Sequence, residues 1–208
     1  AILKKRIAAT IDKYIHETHY GFRSDRSTRD AIHIIRRLID LGERKTSDNR
    51  TTREHYIQMI LLDWEKAFDK VNQEALFEAM ERMNIDPKLI RLTKQLYNNP
   101  TFKVEMDHKP SGLKQQKTGI RQGCPLSPYL FLIIMSVMFH DIHQDKELEE
   151  ELKNDRIIGS IFDEILYADD TIIHSTTSEQ VTKLLHRIQI EGHRYGLRLD
   201  KDKCEVMR

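Results

Sequence analysis

The chain has 208 residues, of which 39% are hydrophobic and 32% are charged, and its formal net charge is only +1. The hydrophobic fraction excludes a disordered chain, and the small net charge means that any nucleic-acid-binding surface must be local. The two cysteines, Cys124 and Cys204, have no metal-ligand spacing and form no disulfide framework. This indicates a reducing, intracellular location in the cytoplasm, the nucleus or both. The longest apolar run, residues 129–139, is about half as long as a bilayer-spanning helix, so no membrane partner is predicted.

The first quarter of the chain is predicted to form two helices joined by a basic loop. Apolar residues at helical spacing predict a helix over residues 2–15. After the loop, Ser27 and Asp30 have the pattern of a capping box, which predicts a second helix over residues 27–41. The polar stretch 42–54 has no periodicity and is interpreted as a loop.

The rest of the chain mixes short strand patterns with longer helical ones. Short apolar or alternating runs predict strands at residues 56–62, 102–106, 161–167 and 171–175. Apolar residues at helical spacing predict helices at residues 76–83, 87–97, 128–142 and 178–195. The acidic run 145–155 is interpreted as a solvated helix or loop, and residues 197–207 as a strand pair or loop. Helices packed on a small antiparallel sheet make the predicted fold α+β.

Three aspartates follow predicted strands. Asp169 and Asp170 lie at the tip of a predicted hairpin, and Asp63 ends another buried strand pattern. A lone aspartate pair usually marks a solvated turn, but adjacent carboxylates repel each other unless a cation lies between them. Side chains at neighbouring strand ends can converge, and a cluster of oxygen ligands suits Mg²⁺. Two such ions can act on both sides of an in-line phosphoryl transfer.

Five segments resemble the motifs of reverse transcriptases and occur in the order found in that family. They are GFR with RST in residues 21–28, LDWEKAFDKV in residues 62–71, GIRQGCPLSP in residues 119–128, YADD in residues 167–170, and GLRL in residues 196–199 followed by Lys203. In the family these are the fingers motif, the first carboxylate motif, the template-and-nucleotide motif, the Y-x-D-D box and a palm motif. The set resembles non-LTR (LINE-type) retrotransposon enzymes, with group II intron enzymes as near relatives.

The resemblance implies an RNA-directed DNA polymerase with the right-hand fold, a small palm sheet packed on helices, and no thumb within this chain. Residues 1–55 would lie mainly in the fingers and residues 56–208 mainly in the palm. The implied substrate is a dNTP, and the implied partners are an RNA template and a DNA primer. We expect the chain to be a fragment of a retrotransposon polyprotein whose remainder supplies the thumb and an endonuclease. We therefore expect the full-length polyprotein to polymerise DNA, and we do not expect residues 1–208 alone to do so.

The catalytic roles also follow from the resemblance. Asp63, Asp169 and Asp170 would bind two Mg²⁺ ions, with Mn²⁺ as a substitute, and Lys203 would protonate the leaving pyrophosphate. Asp69, which lies six residues after Asp63, is interpreted as structural.

The resemblance implies six residues that bind nucleotide or template, namely Phe68, Gln122, Gly123, Arg23, Arg26 and Tyr167. The ring of Phe68 would collide with a ribose 2′-hydroxyl and so admit deoxynucleotides, although Phe68 can equally be a core residue. Gly123 would allow the backbone to approach a nucleotide closely. The planar set of N–H donors on the guanidinium groups of Arg23 and Arg26 suits phosphates. The alternative for both is an ordinary solvated surface side chain.

Other functions stay open at this point. An RNA-dependent RNA polymerase or a telomerase-like relative would be an enzyme of different specificity, and Phe68 argues against the RNA polymerase. A decayed or domesticated fragment would only bind RNA, and the three retained aspartates argue against it.

Overall fold

The computed structural model of the protein describes residues 2–47, 57–106, 109–154, 156 and 160–207. Its helices are α1 (Ile2–Ile11), α2 (Thr28–Ser47), α3 (Ala67–Lys70), α4 (Gln73–Arg82), α5 (Pro87–Leu96), α6 (Ser127–His143), α7 (Lys146–Asn154) and α8 (Ser178–Arg194), with a 3-10 turn at Asp12–Tyr14. Its strands are β1 (Gln58–Leu62), β2 (Thr101–Phe102), β3 (Glu105–Met106), β4 (Lys109–Pro110), β5 (Lys114–Gln115), β6 (Glu164–Tyr167), β7 (Asp170–Ser175) and β8 (Glu205–Met207).

The start of α2 forms one of the two hydrogen bonds of the predicted capping box. Asp30 Oδ2 accepts hydrogen bonds from the backbone N–H of Ser27 at 2.7 Å and from its hydroxyl at 2.9 Å. The first hydrogen bond satisfies the backbone N–H of Ser27, which would otherwise have no partner at the start of the helix. The helix continues to Ser47, so the loop predicted for residues 42–47 was wrong, because charged residues of good helix propensity extend the last turns. Residues 48–54 lie outside the described part of the chain.

Two other elements differ from their predictions. The helix predicted over residues 2–15 divides into α1 and the 3-10 turn. The strand predicted over residues 102–106 divides into β2, which pairs with β5, and β3, which pairs with β4. Alternating polarity could not reveal this division, because both short strands are exposed on both faces.

The acidic run forms a helix with one buried edge. Leu148 and Leu152 of α7 are buried, whereas Glu147 and Glu150 are exposed. This i, i+4 spacing places the two leucines on one face. The helix alternative is therefore confirmed for residues 146–154 and the loop alternative was wrong, but only the outer face of the helix is solvated.

The largest sheet has the strand order β6–β7–β1–β8, and all of its neighbouring strands are antiparallel. Leu62 at the end of β1 lies opposite Thr171 near the start of β7. Tyr167 at the end of β6 lies opposite Asp170. The end of β1 and the turn of the β6–β7 hairpin therefore meet at one edge of the sheet.

The core is built around α6. Residues 130–139 are all buried, with Phe131 and Phe139 among the largest fully buried side chains. Helix α6 packs against α1, α4 and α8, and α8 also contacts β7 and β1. A helix that is apolar on every side is typical of such an enclosed position. The predicted combination of helices with an antiparallel sheet is thus confirmed. Among the described residues, no helix is both long enough and apolar enough to cross a bilayer.

Two histidines beside β6 and in β7 are fully buried. Burial lowers the pKa of His19 to about 3, with help from the charges of His16 and Arg23. Burial likewise lowers the pKa of His174 to about 4. The ring nitrogens of His19 and His174 have no hydrogen-bond partner within the described part of the protein. Both rings are therefore neutral in the folded state at neutral pH.

Acidification below pH 6.5 is expected to destabilise the fold through these two rings. In the unfolded chain a histidine has a pKa of about 6.5. Below that pH the unfolded chain therefore binds protons at positions 19 and 174, whereas the buried rings of the folded chain do not. The contribution of the two neutral rings to the free energy of unfolding is fully present above pH 6.5. It is lost as the pH falls towards the pKa values of the rings in the folded state. At pH 5 the loss is about 2 kcal/mol for each histidine. Urea unfolding of the chain at pH 7 and pH 5 measures it.

The variant His174→Leu should lose about half of this pH dependence, whereas His186→Leu, at an exposed position of α8, should retain all of it. Equal pH dependence in the two variants would contradict the assignment.

Candidate active site

Three aspartates converge at the edge where β1 ends and the β6–β7 hairpin turns. Because Leu62 pairs with Thr171, continuing the register by one residue places Asp63 opposite Asp170. Asp169 and Ala168 form the two-residue turn between Tyr167 and Asp170. Ala168 has φ +57°, a left-handed conformation that costs an ordinary residue about 1–2 kcal/mol. Strained residues of this kind are enriched at functional sites, although five other described non-glycine residues of this chain also have a positive φ.

The electrostatics of this carboxylate cluster favour a bound cation. Burial raises the pKa of Asp170, and the negative charges of Asp169 and Asp63 raise it further. Asp169 and Asp170 are exposed and Asp63 is half-buried, so the oxygens are accessible from solvent. A set of carboxylate oxygens that repel one another fits a hard divalent ion such as Mg²⁺.

A lysine borders the same cluster. Lys203 Nζ lies 3.6 Å from Asp63 Oδ1 and 3.2 Å from Asp200 Oδ2. The hydrogen bond that Lys203 donates to Asp200, together with the charge of Asp63, raises the pKa of Lys203, so the ammonium form is favoured. The backbone N–H of Asp200 also donates to the carbonyl of Asp63 at 2.9 Å. The segment after α8 is thereby attached to the end of β1.

Trp64 anchors the end of β1 beneath the cluster. Its indole N–H donates to the buried hydroxyl of Thr171 at 3.3 Å, and its backbone forms a bridge with Leu199. A Cβ on Gly192 of α8 would lie 3.0 Å from the Trp64 ring, so the absence of a side chain there makes room for the indole. The sequence motifs did not indicate this supporting role for Trp64.

The segment that precedes α2 runs beside β6 and supports the hairpin. The N–H of Tyr20 donates to the carbonyl of Leu166 at 2.7 Å, and the N–H of Leu166 donates to the carbonyl of Thr18 at 3.0 Å. A Cβ on Gly21 would lie only 2.4 Å from the backbone N of Ala168. Gly21 therefore allows this segment to touch the turn that carries Asp169, a contact that sequence reasoning missed.

The template-and-nucleotide motif packs against the segment that follows Asp63. The N–H of Ile120 donates to the carbonyl of Phe68 at 2.7 Å, and Gln122 Nε2 donates to Asp69 Oδ1 at 3.1 Å. Gly119 has φ +83°, and a Cβ there would lie 2.6 Å from the carbonyl oxygen of Asp69. Asp69 thus contacts this loop, and its interpretation as a structural residue stays a prediction.

Phe68 and Gly123 occupy different environments. The half-buried ring of Phe68 stacks on Phe131 of α6, with the ring centroids 5.0 Å apart and an interplanar angle of 13°. Gly123 is exposed, has φ +77°, and has no atom within 4 Å of a Cβ built on it. Phe68 is therefore held by the core, while the backbone at Gly123 is open to an approaching ligand.

Of the two predicted phosphate-binding arginines, Arg23 is held by the protein and Arg26 is exposed. Arg23 Nη1 donates to the carbonyls of His16 and His19, both at 3.3 Å, and Arg23 Nε lies 3.6 Å from Asp12 Oδ1. Its side chain is only 13% exposed, so in this conformation its two Nη atoms bind carbonyls of the protein, while Nε is buried without a hydrogen-bond partner among the described residues. Arg26 is exposed and lies over the ring of Tyr20. Phosphate binding by either arginine stays a prediction.

Tyr167 precedes the turn and packs inward. Its half-buried ring contacts the smaller hydrophobic cluster that includes Tyr20, Met59 and Ile165. The side chain thereby helps to hold β6 against the segment before α2.

The overall fold is shared with solved structures of telomerase. Apo telomerase from Candida tropicalis superimposes over 100% of this chain and 36% of its own, with a TM-score of 0.67 and 17% identity. Telomerase from Candida albicans, in complex with a fragment of telomeric RNA, gives a TM-score of 0.66 and covers 100% of this chain and 34% of its own, also at 17% identity. At this identity the likeness concerns the fold alone.

The chain belongs to the reverse transcriptase (RNA-dependent DNA polymerase) family, whose model matches residues 1–208. It is 25% identical over 197 residues to the RNA-directed DNA polymerase from mobile element jockey of Drosophila melanogaster, covering 93% of this chain and 20% of the relative. It is also 25% identical over 151 residues to the Pol polyprotein of a type-1 retrotransposable element R2 of Nasonia vitripennis, covering 73% of this chain and 14% of the relative. The predicted resemblance to non-LTR retrotransposon enzymes is confirmed. The chain spans a fifth or less of the length of these two relatives.

Proposed function

We propose that this chain is the catalytic part of an RNA-directed DNA polymerase in a retrotransposon polyprotein. The observation that carries the proposal is the convergence of Asp63, Asp169 and Asp170 at one edge of the sheet, in a chain of the reverse transcriptase family. The polymerase joins a dNTP to the 3′-hydroxyl of a DNA primer on an RNA template and releases pyrophosphate. The related jockey and R2 proteins, named as a polymerase and a Pol polyprotein, support the same assignment.

The aspartates hold two Mg²⁺ ions, for which Mn²⁺ can substitute. When bound, such ions activate the primer hydroxyl and neutralise the charge that develops on the triphosphate. Asp63 and Asp169 are the main ligands and Asp170 assists them. Lys203, whose ammonium lies 3.6 Å from Asp63, supplies a proton to the leaving pyrophosphate.

Residues 1–55 contribute mainly to the fingers and residues 56–208 mainly to the palm. The open backbone at Gly123 and the side chain of Gln122 contact the base pair being formed, while Arg26 contacts phosphate. The polyprotein supplies a thumb and an endonuclease outside this chain. These assignments follow from the motifs and from the exposure of Gly123, Gln122 and Arg26.

The assay that tests the proposal is primer extension by the full-length protein that carries this chain. We expect extension on an RNA template with dNTPs, dependent on Mg²⁺ and abolished by EDTA. Extension with rNTPs alone would instead indicate an RNA polymerase. RNA binding without any extension would indicate a domesticated fragment.

Replacing Phe68 by Val is expected to relax sugar selection. A ring that is fixed by stacking on Phe131 is a rigid obstacle to a 2′-hydroxyl, and the smaller side chain removes the obstacle. We expect the ratio of rNTP to dNTP incorporation to rise about tenfold or more, with about 1–2 kcal/mol of lost stability from the core contact. The measurement is single-nucleotide incorporation by the full-length protein with each nucleotide type.

The matched control is Phe77→Val, which shortens another half-buried phenylalanine, in α4 beside Tyr97. It should cost similar stability and leave sugar selection unchanged. Equal incorporation ratios in both variants would mean that Phe68 is only a core residue.

A further inference from the structure

A second cluster of ligating side chains lies at the opposite end of β6 from the aspartates. It consists of His16, which follows the 3-10 turn, His143 at the end of α6, and Glu164 at the start of β6. One ligand atom from each residue lies within 4.8 Å of the others. The three residues are far apart in the sequence, and the proposed polymerase chemistry uses none of them.

Two separations between these residues are close to the edge length of a tetrahedral metal site. His16 Nδ1 lies 3.4 Å from Glu164 Oε1, and His143 Nε2 lies 3.1 Å from Glu164 Oε2. Two ligands that are each about 2.0–2.1 Å from a tetrahedral Zn²⁺ ion lie about 3.3 Å apart. The two imidazoles face different oxygens of the carboxylate, so the rings must also move closer to each other and to the ligating oxygen when an ion binds.

The carboxylate of Glu164 is buried in a way that requires a positive partner. Its side chain is 0% exposed, and a buried carboxylate is costly unless it is paired. Within the described part of the chain, its charged partners within 4 Å are two imidazoles, with no lysine or arginine. The hydroxyl of Thr18 donates to Oε1 at 3.1 Å and so helps to fix the orientation of the carboxylate.

The surroundings of His143 resemble the support that a metal ligand usually has. Its Nδ1 lies 3.0 Å from Glu149 Oε2, while its Nε2 faces Glu164. A ligating histidine commonly donates its second N–H to a carboxylate, which fixes the ring and raises its basicity. The rings of His16 and His143 are stacked, with centroids 5.4 Å apart and an interplanar angle of 10°. Both residues also line a cavity of about 310 Å³, which has room for a water molecule as a fourth ligand.

We propose that His16, His143 and Glu164 bind a divalent transition-metal ion of the Zn²⁺ type. Two nitrogen donors and one carboxylate suit Zn²⁺ and are a poor match for Mg²⁺, which prefers oxygen ligands in an octahedron. The ion ties the segment before α2, the end of α6 and the start of β6 together. Because β6 leads into the turn with Asp169, the site stabilises the base of the hairpin that carries the aspartates.

The competing arrangement is a metal-free ion pair. Burial lowers the pKa of His143, but its bonds to Glu164 and Glu149 outweigh burial and raise that pKa to about 9. A protonated His143 can therefore balance Glu164 without a metal, and the experiment has to separate the two arrangements. It does not depend on polymerase activity.

The test is Zn²⁺ titration of the full chain, purified without a histidine tag, stripped of metal, and kept in excess Mg²⁺ so that the aspartate cluster is occupied. We expect one tightly bound equivalent of Zn²⁺, a rise in Tm on binding, and, with Co²⁺ as a probe, the intense visible bands of tetrahedral coordination. The variant His16→Ala should weaken binding about 100-fold or more, and Glu149→Gln about 10–100-fold.

His16→Ala is preferred to a change at His143 because it leaves the pair of His143 and Glu164 intact, so the metal-free variant should fold. Far-UV circular dichroism verifies this. The matched control His186→Ala, at an exposed histidine of α8, should bind Zn²⁺ as the unmodified chain does. Equal Zn²⁺ affinity in the His16 and His186 variants, or a purely octahedral Co²⁺ spectrum, would overturn the proposal and leave the ion pair as the correct description.

Discussion

Replacing Asp169 by Asn is expected to reduce primer extension by the full-length protein about a thousandfold or more, which corresponds to about 4 kcal/mol of transition-state stabilisation. The change keeps the shape of the side chain and removes a charged oxygen ligand from the proposed metal site. The fold should not suffer, because Asp169 is exposed and its charge repels that of Asp170. The pKa of Asp170, which burial and the charges of Asp169 and Asp63 raise, should fall. Single-turnover extension rates of the variant and of the unmodified protein measure the loss of activity, and their Tm values measure the stability of the fold.

Asp40→Asn provides the matched control, since Asp40 is an exposed aspartate in α2, away from the cluster. It should retain full extension. If Asp169→Asn were equally active, the assignment of the metal site would be wrong. If it lost activity together with its fold, the loss would not report on the metal.

The second large effect is expected from adding a single methyl group at Gly21. In Gly21→Ala the new Cβ would lie 2.4 Å from the backbone N of Ala168, and a backbone atom cannot move aside as a flexible side chain can. The turn that carries Asp169 must therefore shift. A displacement of about 1 Å at a reacting group can cost about 100-fold in rate, and forced overpacking costs about 1–3 kcal/mol.

Gly112→Ala makes the same chemical change where a Cβ would meet nothing within 4 Å. Extension rates and urea unfolding should therefore separate the two variants clearly. If both behaved alike, the segment before α2 would not position the hairpin, and Gly21 would be an ordinary loop glycine.

Much of the local structure was predictable because it depends on neighbours in the chain. Helices α4, α5, α6 and α8 and strands β1, β6 and β7 all lie within a few residues of their predicted positions. The capping bond between the Ser27 N–H and Asp30 could be predicted from the order of side chains over one helical turn. The position of the Asp169 and Asp170 pair in a hairpin turn followed from the apolar runs on either side.

The approach of Asp63 to Asp170 was predictable in part. Strand patterns show that both residues lie at strand ends, but only the register of β1 with β7 decides that they face each other. The inward direction of Arg23 could not be predicted, because its acceptors are carbonyls of the folded segment before it. A basic residue in a loop has the same local pattern whether it points into solvent or into the protein.

The sequence by itself determined the family, the order of the motifs and which three aspartates are candidate metal ligands, since these follow from residue type and spacing. Only the tertiary structure decided that Gly21 touches the turn of the hairpin, that Trp64 anchors the end of β1, and that His16 and His143 meet around the buried carboxylate of Glu164. The physical reason is the same in each case. These contacts join segments that local propensity does not connect, and they form because α6 and the sheet bury their apolar faces and bring distant polar groups together.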